Sequence, residues 1–270
     1  MGILDGQVAV VVGGHSGFGE SITRLFASEG ATVVVAGRRV ELVNEVAAAV
    51  GGLGVDCDIT DDEQVQSLEQ RARNAYGKID IAVNCAGYEQ STPLADLTPA
   101  KLDAMLAVQL SGAMYCMRHF GNAMAASGGG AFLSISSLTA HNPSNGLAAY
   151  ASAKAGVEYA SKIAAVEYGA KQVRFNTVAA SLIETPMTKR VFKIESAIQA
   201  LREVTPLGRM GTSDDVAKAA LFLCGPSGNF ITGQTLCVDG GASLLMLPTQ
   251  QMFADVYRRW SEAQTPPDPA

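Results

Sequence analysis

The chain has 270 residues, of which 48% are hydrophobic and 17% are charged, so it is long enough to bury a full core. Its formal net charge of -6 argues against nucleic acid as a partner, because no basic stripe is present to neutralise phosphates. No apolar run approaches the roughly 20 residues that span a bilayer, and the first residues lack the pattern of an export signal. We therefore expect a cytoplasmic protein that binds neither nucleic acid nor membranes.

The cysteines and histidines limit the redox state and the metal chemistry. The five cysteines are odd in number, widely spaced and set in apolar runs, which is typical of reduced, packed thiols in a reducing compartment. His15, His119 and His141 have no metal-ligand spacing with one another or with the cysteines. We expect no metal site.

Short β-branched runs alternate with longer helical patterns along the chain. The predicted strands are, in chain order, Val8–Val12, Thr32–Ala36, Val55–Asp58, Ile79–Asn84, Ala131–Ser136, Val173–Val178 and Thr235–Val238. Because the strands are apolar on both faces and are separated by crossover segments, they predict a doubly wound α/β fold of the Rossmann type. We expect one seven-stranded parallel sheet with helices on both faces, in a single domain over residues 1–245.

Capping signals and composition divide the rest of the chain. Thr98, followed by a proline, predicts the start of a long helix over Pro99–Ala125, and the acidic run Thr212–Asp215 predicts another helix start. A second long helix is predicted over Ala148–Ala170. Residues 246–270 form a C-terminal extension with a helix-like stretch, Gln250–Glu262, and a proline-rich end that predicts disorder.

The first predicted strand runs directly into a glycine-rich turn that opens a helix. Glycines let the backbone approach a pyrophosphate, and the N–H groups and positive dipole at a helix start stabilise its charge. A tight connection without a ligand would need the same glycines, but the strand–turn–helix context favours a dinucleotide site. The residues expected to hold the dinucleotide there are Gly13, His15, Ser16, Gly17, Phe18 and Gly19.

The ends of the second and third strands bear on the choice of dinucleotide. An acid after the second strand would bind ribose hydroxyls and repel an extra phosphate, but Gly37 stands there and Arg38 follows with a guanidinium suited to a 2′-phosphate. We therefore hypothesise NADP(H) in preference to NAD(H), which stays possible; solvated residues at a helix start are the alternative. Asp58 and Ile59 are placed to contact the adenine, although helix capping by residues 60–61 would explain the same acidic patch.

A tyrosine, a lysine and a serine form a candidate catalytic group. Tyr150 and Lys154 are four residues apart in a helical pattern and so share one face. Reducing a carbonyl needs a proton donor, and the Lys154 ammonium, together with the positive charge of the nicotinamide, would lower the tyrosine pKa from its usual value of about 10. Ser137 follows the fifth strand, where its hydroxyl is placed to hold a carbonyl oxygen; ordinary turn hydrogen bonding is the alternative.

These residues together closely resemble the short-chain dehydrogenase/reductase superfamily, from about Asp5 to Gly241. Several separate motifs agree with the family in order and spacing: the glycine-rich turn, Asn84–Gly87, Ser137, Tyr150-xxx-Lys154, Pro206–Arg209 and Val238–Gly241. The resemblance implies that Tyr150 is the acid/base, that Ser137 orients the carbonyl and that Lys154 also binds the nicotinamide ribose. It further implies that the cofactor groove includes Asn84, Ala86, Gly87, Ile183 and Thr185.

The resemblance also has consequences for the substrate and the assembly. Residues 181–205 would form a substrate lid, whose apolar side chains (Leu182, Met187, Val191, Phe192, Ile194) suggest a mainly apolar ketone or secondary alcohol; packing of these side chains against the protein is the alternative. The long helices would pair across two-fold axes in a homotetramer. Two departures from the family bear on catalysis. Gln109 replaces the asparagine of a proton path to the lysine, and Ala180-Ser181 replaces a Pro-Gly pair, which should loosen or re-aim the loop that leads to Ile183 and Thr185.

Two alternatives to an alcohol dehydrogenase or ketone reductase stay open. A 3-oxoacyl thioester reductase would need a basic docking surface for an acidic carrier protein, for which Lys171 and Arg174 are the candidates. A dinucleotide-binding sensor without turnover would account for the departures at Gln109 and Ala180-Ser181. The intact serine, tyrosine and lysine argue against the sensor.

Overall fold

The seven predicted strands form one parallel sheet. In the computed structural model, which describes residues 2–245, they are β1 (Val8–Val12), β2 (Thr32–Gly37), β3 (Leu53–Asp56), β4 (Ile81–Asn84), β5 (Gly130–Ser137), β6 (Val173–Ala180) and β7 (Thr235–Val238). Their spatial order is β3-β2-β1-β4-β5-β6-β7, and all neighbouring pairs are parallel. The winding reverses between β1 and β4, which is where such sheets bind ligands. The doubly wound α/β prediction is confirmed.

Helices cover both faces of the sheet. They are α1 (Gly17–Ser28), α2 (Val40–Ala49), α3 (Asp62–Tyr76), α4 (Pro99–Leu106), α5 (Gly112–Ala126), α6 (Ala148–Tyr168), α7 (Glu195–Glu203) and α8 (Ser213–Cys224). Within β1, Ala9 and Val11 pack with apolar side chains of α1, α2 and α8, whereas Val10 and Val12 pack with those of α3, α5 and α6. This alternation explains why the strand is apolar at every position.

The predicted helix starts at Thr98 and Thr212 are confirmed. The Thr98 hydroxyl oxygen accepts from the backbone N–H of Lys101 at 3.4 Å, and Pro99 is the first helical residue. At α8 the Thr212 hydroxyl accepts from the backbone N–H of Asp215 at 3.2 Å, and the Asp215 carboxylate accepts from the Thr212 N–H at 2.8 Å. This reciprocal capping satisfies N–H groups that the helix itself leaves without partners.

Several predicted elements differ in their bounds: β4 begins at Ile81 rather than Ile79, and β6 ends at Ala180 rather than Val178. The helix expected over Pro99–Ala125 is divided, because a π-helical segment, Ala107–Ser111, separates α4 from α5. The third strand lies two residues earlier than predicted, since the Asp58 carboxylate accepts from the Thr60 N–H at 3.0 Å and turns the chain there. The predictions for residues 246–270 lie outside the described residues.

Residues 2–245 contain neither a candidate membrane span nor a candidate metal cluster. No helix within residues 2–245 is long and apolar enough to cross a membrane. In the same range no three histidine, cysteine, aspartate or glutamate side chains converge as they would around a metal ion. The five cysteines are unpaired.

Candidate active site

One large cavity opens at the carboxyl ends of the central strands. It has a volume of about 980 Å³ and extends from the glycine-rich turn past Ser137 and Tyr150 to the lid. Of the predicted site residues, all but Asn84 line it. Asn84 is buried, and its side-chain oxygen accepts from the backbone N–H of Ala86 at 3.1 Å. In this structure Asn84 shapes the turn that presents Ala86 and Gly87 to the cavity.

The glycine-rich turn leaves no room for side chains where it bends. Gly13 has a φ of +74°, and a Cβ there would lie 2.8 Å from the backbone nitrogen of Ala86. A Cβ on Gly19 would lie 2.2 Å from the carbonyl oxygen of Gly13. Ser16 precedes α1 but makes no side-chain capping bond, so the N–H groups of the first turn are left to other partners. This cradle fits a dinucleotide pyrophosphate.

A histidine–arginine pair lies beside the turn. The Arg39 Nε donates to His15 Nε2 at 2.9 Å, and an Arg39 terminal nitrogen donates to the Ser16 hydroxyl at 2.9 Å. Burial and the Arg39 charge lower the pKa of His15, which favours the neutral ring. A Cβ on Gly37 would lie 2.5 Å from the His15 ring, so this ring occupies the space beside the end of β2. From the sequence, Arg39 was only a candidate for a solvated residue at a helix start; its contacts with His15 and Ser16 depend on the folded turn.

Arg38 and Asp58 form the outer wall of the same end. An Arg38 guanidinium nitrogen lies 3.6 Å from the Asp58 carboxylate. Burial opposes ionisation of Asp58, but hydrogen bonds from Thr60 and the charge of Arg38 prevail and lower its pKa. Capping of α3 belongs to Asp61, which accepts from the N–H groups of the first turn. Asp58 and Ile59 line the cavity, and Asp58 does not cap α3.

The candidate catalytic side chains converge where β5 meets α6. The Lys154 ammonium donates to the carbonyl oxygen of Ile135 at 2.8 Å and lies 5.7 Å from the centre of the Tyr150 ring. Burial lowers the pKa of Lys154 to about 8. Burial also raises the pKa of Tyr150, and a hydrogen bond with Ser137 only partly offsets this. Among the protein's own groups, burial therefore dominates, and the pKa of Tyr150 without a nicotinamide charge is raised.

The Ser137 hydroxyl has a fixed direction. Its oxygen accepts from the backbone N–H of Thr139 at 3.2 Å and from the Thr139 hydroxyl at 2.9 Å. Both bonds use the oxygen as acceptor, so the hydroxyl hydrogen is directed elsewhere. Ser137 is thereby prepared to donate to Tyr150 or to an oxygen in the cavity. The turn hydrogen bonding that the sequence suggested as an alternative exists, and it orients the hydroxyl.

Gln109 occupies the π-helical segment and is buried. Its amide nitrogen donates to the carbonyl oxygen of Tyr88, and its amide oxygen is buried with no partner among the described residues. A Cβ on Gly87 would lie 2.8 Å from that oxygen. The extra methylene of glutamine is therefore accommodated by a glycine opposite, and the amide still ties the helix to the turn after β4.

The entry to the lid is tied to the sheet despite Ala180-Ser181. Ala180 pairs with Ser137 and Val238, and the backbone N–H of Ser181 donates to the carbonyl oxygen of Val238 at 3.3 Å. Ile183 is buried and forms a bridge with residue 211. The pairing of β6 thus continues in register to its last residue, and the segment that leads to Ile183 starts from the sheet.

The lid contributes some of the apolar side chains that were predicted. Leu182 and Met187 line the cavity, but Val191, Phe192 and Ile194 do not. Further apolar lining residues that the sequence did not indicate are Leu138, Leu147, Leu201, Val204, Met210 and Leu245. The substrate end of the cavity is therefore apolar, although its lining differs from the prediction.

Comparison with known proteins agrees with this geometry. The family model described as enoyl-(acyl carrier protein) reductase matches residues 12–243. The chain is 32% identical to 3-oxoacyl-[acyl-carrier-protein] reductase FabG of Thermotoga maritima, over 88% of this chain and 98% of that protein. It is 33% identical to 7alpha-hydroxysteroid dehydrogenase of Escherichia coli K12, over 88% and 94%.

A solved structure shows the same fold with ligands. A 7α-hydroxysteroid dehydrogenase complexed with NADH and 7-oxo glycochenodeoxycholic acid superposes with a TM-score of 0.83 at 33% identity, covering 88% of this chain and 94% of that one. Such relatives act on alcohols and ketones. The chain therefore belongs to the short-chain dehydrogenase/reductase family, whose members are oxidoreductases that use NAD(H) or NADP(H) to interconvert alcohols and carbonyls.

Proposed function

We propose that the chain transfers a hydride between NADP(H) and a mainly apolar ketone or secondary alcohol. The observation that carries the proposal is the convergence of Ser137, Tyr150 and Lys154 in one cavity with the glycine-rich turn. A sensor without turnover would not need these three reactive groups at the apolar end of that cavity. We therefore assign catalysis in preference to sensing.

The roles of the side chains follow from their hydrogen bonds. When bound, the reduced nicotinamide supplies the hydride that adds to the carbonyl carbon. Ser137 donates to the carbonyl oxygen, because its own oxygen is engaged by Thr139. Tyr150 holds its proton at neutral pH, since burial raises its pKa, and gives that proton to the same oxygen. The Lys154 ammonium stabilises the phenolate that is left; the product is the alcohol.

The basic groups beside the glycine-rich turn support NADP(H). Arg39 is held against His15 and Ser16, and Arg38 lies at the same end of the cavity. No acid stands at Gly37, where the His15 ring fills the space. A 2′-phosphate at this end would therefore have the guanidinium groups of Arg38 and Arg39 as partners. NAD(H) stays the alternative, because one relative binds NADH.

The cofactor assignment can be tested by two alanine substitutions. In Arg38→Ala and Arg39→Ala, loss of a charge-assisted bond of about 1.5–3 kcal/mol should weaken NADPH binding by roughly 10- to 100-fold and leave NADH binding unchanged. Dissociation constants for NADPH and for NADH, determined from nucleotide fluorescence, measure these two affinities. Arg71→Ala, an exposed change on α3, is the matched control. Equal affinities of the wild type for NADPH and NADH would refute the assignment.

The lining of the substrate end supports an apolar, uncharged substrate. Apolar side chains of the lid and of the loop after β5 form most of this end. Glu89 is exposed there, and its charge contributes to raising the pKa of Tyr150. A carboxylate on the substrate would be repelled by Glu89, so we expect neutral ketones to be preferred.

A 3-oxoacyl thioester reductase is the second candidate, favoured by the similarity to FabG. The basic surface suggested for it is not suitable. Arg174 donates to the carbonyl oxygens of Leu223, Cys224 and Ile231, so its guanidinium is engaged internally. Arg174 and Lys171 also lie at the amino end of β6, opposite the cavity. Exposed cations on the lid, Lys189, Arg190 and Lys193, are the remaining docking residues.

One assay separates the two candidates. NADPH oxidation is followed with neutral cyclic and aryl ketones and, separately, with a 3-oxoacyl group on acyl carrier protein and on a short thiol. We expect turnover of neutral ketones. A strong preference for the carrier-linked thioester, lost when Lys189, Arg190 and Lys193 are replaced by glutamine, would establish the second candidate instead.

We further propose a homotetramer that works in the reducing cytoplasm. Apolar side chains of α5 and α6 are exposed in the single chain, among them Met114 (44%), Tyr159 (67%) and Val166 (84%). Burying such a patch between copies is the usual reason for it. The unpaired cysteines accord with a reducing compartment. Light scattering of the wild type and of Val166→Glu tests the assembly: a tetramer that the variant breaks is expected.

A further inference from the structure

A buried carboxylate lies one helical turn beyond Lys154. Tyr150, Lys154 and Glu158 are spaced by four residues on α6, so they share the face that meets the end of β5. Glu158 is 9% exposed. One carboxylate oxygen accepts from the Ser136 hydroxyl at 2.6 Å, and the other lies 2.7 Å from His141 Nε2. No role in the proposed proton transfer requires this carboxylate.

The two partners of Glu158 flank the candidate catalytic serine. Ser136 precedes Ser137 directly, and His141 follows it by four residues, at the end of the turn that also contains Thr139. One carboxylate therefore ties both sides of this short segment to α6. The neighbouring contact, from Lys154 to the carbonyl oxygen of Ile135, fixes the residue before Ser136 to the same helix. Two consecutive residues of β5, Ile135 and Ser136, are thus hydrogen-bonded to the face of α6 that carries Tyr150.

Burying a carboxylate is costly unless its lone pairs are satisfied and a positive charge is near. Glu158 meets both conditions. Its two oxygens have partners. Lys154 is close enough that the carboxylate charge partly opposes the lowering of the Lys154 pKa by burial. The same charge contributes to raising the pKa of Cys237 on β7. A group held at this cost, next to the reacting side chains, calls for a function beyond packing.

We propose that Glu158 is a positioning residue, which through Ser136 and His141 holds the Ser137 hydroxyl in register with Tyr150. This inference rests on the proposed function for its effect on turnover. Its structural part, the contact between Ser137 and Tyr150, is measurable without turnover. Misplacing a catalytic group by about 1 Å lowers rates by as much as 100-fold, so loss of the tie has a large kinetic effect.

The first test is an absorbance titration of Tyr150, isolated by subtracting the curve of Tyr150→Phe. The hydrogen bond with Ser137 lowers the tyrosine pKa, so Ser137→Ala should raise it by about one unit. Glu158→Leu should raise the Tyr150 pKa too. The double variant Ser137→Ala/Glu158→Leu should raise it no further than Ser137→Ala alone. The sign is diagnostic: a carboxylate that acted only through its charge would have disfavoured the phenolate, and its removal would lower the tyrosine pKa.

The second test uses turnover. Glu158→Leu should lower kcat by about 10- to 100-fold and leave the affinity for NADPH unchanged. Glu158→Gln, which keeps an oxygen that accepts from Ser136, should recover part of the loss. In a Ser137→Ala background Glu158→Leu should have no further effect on kcat. Glu167→Gln, an exposed change on the same helix, is the matched control.

The outcomes separate this inference from the proposed function. If the wild type turned over no ketone but Glu158→Leu raised the Tyr150 pKa, the positioning role would stand and the proposed function would fail. If Glu158→Leu left both the titration and kcat unchanged, or acted equally with and without Ser137, the positioning role would be refuted. Should Glu158→Leu not fold, Ser136→Ala removes the same tie at one side and is judged by the same criteria.

Discussion

The two ends of the cavity are built differently. At the nucleotide end the backbone packs so closely that side chains are excluded: a Cβ on Gly19 would lie 2.2 Å from the carbonyl oxygen of Gly13. At the substrate end the lid buries little, since on α7 only Ile198 is buried and Met187 is 54% exposed. The nucleotide end therefore follows from the fold itself. The substrate end depends on exposed side chains that can be exchanged without disturbing the sheet.

The largest effect is expected between these two ends, at Tyr150. Tyr150→Phe removes the proton donor and keeps the ring, so kcat should fall by about 100- to 10,000-fold while NADPH binding is retained. Steady-state kinetics and nucleotide fluorescence measure the two quantities. Tyr159→Phe, at an exposed position on α6, is the control. A loss of less than tenfold would mean that another group donates the proton.

A substitution at Gly19 tests whether backbone packing fixes the nucleotide end. Gly19→Ala forces a Cβ against the Gly13 carbonyl, which should destabilise the protein by about 1–3 kcal/mol and weaken nucleotide binding. Gly169→Ala, where a Cβ meets nothing within 4 Å, should change neither. Thermal unfolding with and without NADPH compares the variants. Unchanged binding in Gly19→Ala would contradict the difference drawn between the two ends.

The pH dependence of reduction should report Lys154. Its pKa is about 8, below the usual 10.5, so the ammonium is lost as the pH rises through 8. Reduction should then slow by about tenfold per pH unit. In Lys154→Arg this alkaline fall should disappear, because guanidinium stays charged. Between about pH 8 and 10.5, Lys154 is protonated in the unfolded chain but not in the folded protein. This lysine therefore makes the free energy of unfolding rise with pH over that range.

The smallest effect is expected in the lid. Met187→Ala removes part of a half-exposed apolar contact, which we expect to change KM for a bulky ketone by about fivefold, or about 1 kcal/mol. The KM for NADPH should not change. A comparable change in both constants would show that the lid and the nucleotide end are coupled.

The sheet could be predicted from the sequence because its strands are apolar at every position. β1, for example, is apolar and buried at each of its five positions. A short, continuous apolar run of this kind before a glycine-rich turn is typical of a buried strand and differs from the one-sided pattern of a surface helix. The third strand was misplaced by two residues, since Val55 and Cys57 are both buried like strand residues, although the pairing with β2 ends at Asp56 and the Asp58 turn follows. The π-helical segment around Gln109 could not be predicted, because it has the same apolar periodicity as the helices on either side.

The candidate site was predictable where its residues are close in sequence. Tyr150 and Lys154 lie on one helix, so their spacing alone places them together. The contacts of Glu158 join residues 17 and 22 positions away, which only the packing of α6 against β5 creates. The same holds for the His15 ring against Gly37: the sequence showed a missing acid, but not the side chain that takes its place.

The central claim, that this cavity carries out hydride transfer, is tested most directly with NADPH deuterated at C4 of the nicotinamide. The labelled cofactor is incubated with a neutral cyclic ketone, and the alcohol is examined by mass spectrometry in the wild type and in Tyr150→Phe. We predict one deuterium at the carbinol carbon in the wild type and almost none in the variant. NADPH that binds but passes no deuterium to any ketone of the panel would contradict the account.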